Sequence, residues 1–127
     1  MRTITDHKVN GLNEALEITA GESGPGGASH RYDIIGEAES MPNVGPRPFG
    51  VNLRFQNGPI ASLKDYNGIT NEALLAVLID RMRGFQGGPF KCRENAIALT
   101  HLEEALMWLQ KRTRDRMARG VEGSMAP

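Results

Sequence analysis

The sequence predicts an α+β protein, with a small N-terminal antiparallel β-sheet followed by a C-terminal two-helix hairpin. Three observations predict it. Between Gly50 and Gln56, apolar Val51, Leu53 and Phe55 alternate with polar Asn52, Arg54 and Gln56, which is the two-residue period of a strand with one wet face. After Thr70, the residues Leu74, Leu75, Leu78, Ile79 and Met82 recur at helical spacing. From Arg93 a longer helical pattern of Ile97, Leu99, Leu102, Ala105, Leu106, Leu109 and Thr113 runs into a cluster of arginines. The order divides the chain into an N-terminal arm with a Gly-rich loop (1–28), a β-rich part (29–69), a helical hairpin (70–119) and a tail (120–127).

The first stretch is weakly patterned. Leu12–Ala20 is compatible with a short helix or a strand, and the β-branched pair Ile18-Thr19 favours the strand. Gly21–Gly27 is a loop by composition. Such a loop either turns the chain or offers backbone N–H groups to an anion. No Lys-Ser/Thr follows, which excludes a Walker-type phosphate loop. Arg31–Gly36 reads as a strand, and Met41–Pro48, with three prolines, as a loop. Asn57-Gly58 closes the alternating strand in a tight turn, Ile60–Leu63 is the expected returning strand, and Asn67-Gly68 turns into the first helix. Thr70 supplies that helix with an N-cap oxygen. Gly84 is its expected end, because Gly87, Gly88 and Pro89 cannot continue it. The second helix, from Arg93 to Arg119, is roughly 40 Å long at ~1.5 Å per residue. The first helix covers only about half of it, so the exposed remainder calls for a partner. A few short strands and two helices make a thin core, and such a chain is expected to bury its apolar faces by self-association.

Composition narrows the class. The chain has 127 residues and one cysteine, and its formal net charge is zero. That argues for one domain, or a small domain with an appendage, no internal disulfide and no general affinity for polyanions. No apolar run approaches the ~20 residues that span a membrane, and the N-terminus lacks the apolar core of a signal peptide. A cytoplasmic protein is the expectation. Charge is unevenly placed, however. Residues 1–70 carry six basic and eight acidic side chains, against nine and seven in residues 71–127. Lys111–Arg119 holds five basic residues and one acid, Asp115. That patch suits a small anion better than a duplex, where many phosphates must be neutralised at once.

The residues offer little for catalysis or metal binding. His7, His30 and His101 have no companions at metal-ligand spacing. Glu103 and Glu104 after His101 read as a solvated helix face. Cys92, just inside a helix start, has no histidine partner. No catalytic residue, metal ligand or cofactor is assigned.

Binding is better served. Arg112 and Arg116 lie one turn apart on one helix face, and Arg119 extends it. Two guanidinium forks so placed can clamp a phosphate or diphosphate. The alternative is a solvated helix end whose cations complement the macrodipole. Phe85, among glycines in the turn, is either a stacking platform for a base or a plug for the end of the hairpin. Asn95 either reads an adenine edge with its amide or satisfies the first helical turn. Trp108 is assigned to the core or a subunit interface rather than to a ligand.

The run Gly68–Leu75, then Asp80-Arg81, Gly84-Phe85-Gln86, Gly88-Pro89-Phe90, Cys92–Asn95 and Glu103-Glu104-Ala105 to Arg116, resembles the phage Thoeris anti-defence sponges. Their helical hairpin is shared with the anti-CBASS sponge. The resemblance covers about residues 50–119. It implies a protein that sequesters cyclic nucleotide signals of bacterial immunity without cleaving them, as a homohexamer built from dimers in the host cytoplasm. It further implies that a cyclic ADP-ribose isomer sits in a pocket shared between subunits. There Phe85 stacks on the adenine, Asn95 hydrogen-bonds to it, and Arg112 and Arg116 hold the diphosphate. Arg54, on the wet face of its strand, is a sheet-side candidate. Cyclic oligonucleotides are a second ligand class in the family, at sites not placed on this sequence. No membrane or nucleic-acid partner is implied.

Three other readings stand beside this one. A helix-turn-helix-like nucleic-acid binder would use Lys111–Arg119 against phosphates, but zero net charge and the long Gly-Gly-Pro turn count against it. A nucleotide-hydrolysing enzyme would need acidic metal ligands on facing helices, and Asp80, Glu103 and Glu104 are too few and poorly spaced. A purely structural oligomer is the third.

Overall fold

The computed structural model describes residues 1–39 and 46–120. In order they form β1 (Arg2–Ile4), a short helix α1 (Gly11–Glu14), β2 (Glu17–Ala20), β3 (Arg31–Glu39), β4 (Pro46–Arg54), a 3-10 turn (Leu63–Asp65), α2 (Asn71–Gln86) and α3 (Arg93–Ala118). The chain divides into two compact units, Met1–Asn57 and Gly58–Pro127. An antiparallel sheet followed by two helices is the predicted α+β arrangement.

The sheet has the order β1-β2-β3-β4, and every pair is antiparallel. Its two faces follow from the register. On one, Ile4, Ile18, Ile34 and Val51 stand in a row across the four strands, beside Arg2, Ala20, Tyr32 and Leu53. Tyr32 and Phe55 meet edge to face on that side, with centroids 5.7 Å apart. On the other, Thr3, Thr19, Asp33 and Asn52 form a polar row, closed by a hydrogen bond that the Asn52 amide donates to the Asp33 carboxylate. This is the one-sided amphipathicity of an antiparallel sheet. Its apolar side is thinly covered: Ala20 is fully buried, while Phe49 and Val51 stay nearly half exposed.

Two expectations are corrected here. Met41–Pro48 reads as a loop from its prolines. Part of that stretch lies outside the described residues, but Pro46–Pro48 belong to β4. The reason is edge geometry. The Phe55 N–H donates to the His30 carbonyl, so alternation turns the nitrogens of even-numbered β4 residues away from β3, where a proline lacks nothing. Ile60–Leu63 is not a returning strand. Gly58 takes the positive φ of 98° suited to a turn, but the Asp65 carboxylate then accepts from the Ala61 and Ser62 N–H groups. A capped 3-10 turn replaces the strand.

In the second unit, the Thr70 Oγ1 accepts from the Ala73 N–H at 3.0 Å and starts α2 as predicted. The helix does not end at Gly84 but runs to Gln86. A helical glycine weakens a helix by about 1 kcal/mol without stopping it. The stop comes where Gly87 and Gly88 donate to the Arg83 and Phe85 carbonyls and Pro89 follows. Cys92 is the N-cap of α3 rather than its first turn, its Sγ accepting from the Asn95 N–H at 3.4 Å.

The two helices pack on each other. Arg83 Nη2 donates to Glu103 Oε2 across them at 2.7 Å. The pair is exposed and contributes little energy, but it pins the register. Ile79 is the buried apolar side chain of α2. On α3 the half-buried positions are Leu99, Leu102, Leu106, Leu109 and Thr113, and Arg116 completes that three-four spacing at 5 % exposure. The stripe therefore stays covered within the single chain as far as Arg116, although α2 is much shorter than α3. Leu78 and Ile97, counted as core from periodicity alone, remain exposed, because each lies a residue off the packed stripe.

Candidate ligand-binding site

The residues assigned to binding fall in three places. Phe85 lies in the last turn of α2 and Asn95 in the first turn of α3, both at the connecting end of the hairpin. Phe85 is therefore a helical residue and not part of the turn. It shares a cleft of about 410 Å³ with Asp80, Arg81, Gly84, Gly88, Pro89 and Phe90. The Arg81 guanidinium stands over its ring, 5.0 Å from the centroid. Asn95 gives its backbone N–H to the Cys92 cap. Among the described residues its side-chain amide makes no hydrogen bond, which leaves two donors and an acceptor for a ligand.

Arg112 and Arg116 lie at the far end of α3, where they line a second cleft of about 500 Å³ with Trp108, Lys111, Asp115 and Arg119. The cations there are not equivalent. Lys111 is paired with Asp115 at 2.6 Å. Arg116 is buried and already engaged within the chain. Arg112 is exposed and, among the described residues, has neither ion pair nor hydrogen bond. The unpaired fork in this cleft is thus Arg112, while Arg116 is buried and engaged one turn further along the same helix.

Arg54 belongs to the other unit. It ends β4 directly opposite Arg31 on β3. Both side chains are exposed, and like charges directly opposite on neighbouring strands are an unfavourable cross-strand pair.

The separation of the first two clusters is decisive. Seventeen residues of continuous helix divide Asn95 from Arg112, or roughly 25 Å at ~1.5 Å per residue. A ligand filling a pocket of about 300–1,000 Å³ is only about 10 Å across. Within one chain, Phe85 and Asn95 cannot share a small ligand with Arg112 and Arg116.

Two residues that line these clefts were not assigned to them from the sequence. Arg81 is four residues before Phe85, and Trp108 four before Arg112; that i, i+4 spacing on a helix is the signal that marks them. Trp108, assigned to core or interface, is 62 % exposed and so is not core. Among the described residues, no group of three or more His, Cys, Asp and Glu could hold a metal, and no helix is long and apolar enough to cross a membrane.

These features define an α+β protein whose C-terminal unit is a helical hairpin with one aromatic-edged cleft at the connecting end and another, lined by arginines, at the C-terminal end of its long helix. The chain belongs to the Acb2/Tad1 hairpin-domain family, whose model matches residues 51–114. It is 54 % identical over 72 residues to "Thoeris anti-defense 1" of Bacillus phage SBSphiJ7, a match covering 57 % of this chain. The matched region spans half the length of that relative.

Proposed function

We propose that this protein is a phage anti-defence sponge: it binds a cyclic nucleotide signal of bacterial immunity in the host cytoplasm and withholds it from its effector, without cleaving it. Cyclic ADP-ribose isomers are the first ligand class, and cyclic oligonucleotides a second. Each binding site is composite. One copy contributes Phe85 to stack on adenine and Asn95 to hydrogen-bond its edge. A second copy contributes Arg112 and Arg116 for the diphosphate. A homohexamer built from dimers places these half-sites together.

The observation that carries this reading is the distance along α3 between the two clusters. Four residues suited to one nucleotide, divided between the two ends of the hairpin, can meet on one ligand only between copies, and two copies running antiparallel about a two-fold axis across α3 would bring them together. The family adds the phage context, through the anti-defence relative. A sponge needs affinity and slow release rather than a reactive group, and preformed helices lower the cost of organising the pocket.

The test has two arms. The purified protein is incubated with cyclic ADP-ribose isomers and cyclic di- and trinucleotides, freed of unbound ligand and heat-denatured, and the released mass is read. An unchanged ligand mass is expected, and a cleaved product would show an enzyme. In the second arm Phe85→Ala and Arg112→Ala proteins, each defective alone, are mixed after dissociation. Each mixed dimer then holds one site with all four residues intact, so about a quarter of the sites should recover under random exchange. No recovery would place the four residues outside a shared site.

A further inference from the structure

We infer that Trp108 is a ligand-contacting residue of the arginine cleft, and that its indole face takes the ribose directly bonded to the phosphate held by Arg112. The inference rests on the anion-binding reading of that cleft and extends it from charge to the sugar.

Three observations lead there. Trp108 is 62 % exposed, which leaves its indole face open to a ligand, and it lines the same cleft as Arg112 and Arg116. It precedes Arg112 by four residues on α3, so it sits one turn away on the same face, about 5–6 Å between Cβ atoms. That is the reach of one sugar ring from a phosphate gripped by the arginine. The cleft, at about 500 Å³, lies in the range of whole small-molecule sites and exceeds what a diphosphate alone occupies. The chemistry of its wall fits as well. Lys111 is neutralised by Asp115, so the group beside the indole with free charge is Arg112, a planar fork that orients a phosphate rather than merely attracting it. A ribose held at that phosphate presents its C–H face to the ring, while its hydroxyls point to water.

The two aromatics then have separate tasks. Phe85 takes the base in one half-site, and Trp108 the sugar in the other. A ligand with base, ribose and diphosphate in sequence would be contacted along its whole length, whereas inorganic phosphate would engage only the arginines.

Trp108 is the single tryptophan of the chain, so indole emission, excited where tyrosine does not absorb, reports on this cleft alone. The full-length protein is titrated with cyclic ADP-ribose isomers, following both indole emission and heat, alongside Trp108→Leu and Trp108→Phe, with the assembly mass of each determined by light scattering. The expected result is an emission change that saturates with binding, an affinity about tenfold weaker in Trp108→Leu, recovery to within about threefold in Trp108→Phe, and an unchanged assembly mass. Binding without any emission change, or Trp108→Leu binding within twofold of the parent, would overturn the inference. So would a Trp108→Leu protein that loses assembly mass, or a Trp108→Phe protein as weak as the leucine one; either makes the side chain a packing element. Heat and emission both silent for every isomer with the parent protein would remove the anion-site reading itself, and this inference with it.

Discussion

The Arg81 guanidinium covers one face of the Phe85 ring, at 5.0 Å from its centroid and four residues earlier on the same helix. A base can therefore stack only on the opposite face. The cation also holds the ring in place by attraction to its π-cloud. Phe85→Ala should weaken binding of an adenine-containing ligand by about 1–3 kcal/mol, the worth of one aromatic–base stack. Arg81→Ala should cost less, about 0.5–1 kcal/mol at this exposed site. Calorimetric titration checks both. Equal losses would mean that Arg81 touches the ligand itself.

Arg112 and Arg116 should respond differently to truncation. Arg112 is exposed, so Arg112→Ala should leave the melting temperature within a degree or two and weaken ligand binding by about 1–3 kcal/mol, the loss of a charge-assisted hydrogen bond. Arg116 is buried in the α3 stripe, and Arg116→Ala should lower both affinity and thermal stability. Thermal melts beside titrations separate the two. A destabilised Arg112→Ala protein would mean that its guanidinium is structural.

Gly50 is expected to resist any substitution. Its φ is +153°, and an added Cβ would fall 2.0 Å from the Ile34 carbonyl oxygen on the neighbouring strand. Gly50→Ala should destabilise the sheet unit by about 2–4 kcal/mol, combining backbone strain with a clash that cannot be relieved by a rotamer. Denaturant unfolding followed by Tyr32 fluorescence or by amide exchange in β3 measures it. A neutral Gly50→Ala would show that the β3–β4 pairing shifts easily.

Acid should loosen the first unit through Glu17. The Lys8 ammonium donates to its carboxylate at 2.7 Å and, with its charge, holds the Glu17 carboxyl below its ordinary value of 4.5. A carboxyl that ionises more readily in the folded state stabilises the fold above the ordinary value and loses that contribution as pH falls through the lowered one. The melting temperature of the parent should therefore fall more steeply below pH 4.5 than that of Glu17→Gln, with the two curves converging in acid. Parallel curves would show that the pair contributes nothing.

What could be read from the residues followed the strength of their periodicity. Both helices announce themselves through leucines at three-four spacing, and Thr70 through its cap position. Short strands do not. Arg2–Ile4 is three residues long, and its pairing partner Ile18–Ala20 carries only one β-branched pair to betray it. Pro46 and Pro48 look like breakers because edge position, which makes them harmless, is a property of the sheet and not of the segment. Ile60–Leu63 has the apolarity of a strand, and only the Asp65 carboxylate, acting over four residues, diverts it into a turn. The candidate site divides in the same way. Residue types and helix faces are visible in the chain. That Asn95 and Arg112 lie a whole helix apart follows from counting residues along α3, but that Arg116 is buried while Arg112 is exposed depends on packing in three dimensions.

Gly84 sits inside α2 with nothing within 4 Å of the position its Cβ would take, and it borders the Phe85 cleft. An alanine there would meet no obstacle in the protein and should strengthen the helix by about 1 kcal/mol. It would also put a methyl group into the cleft proposed to take the base. On the proposed reading, the weakness of the helix at that turn is the room that the base needs. Gly84→Ala should melt later and bind less, so that heat tolerance and ligand capture move in opposite directions at one atom.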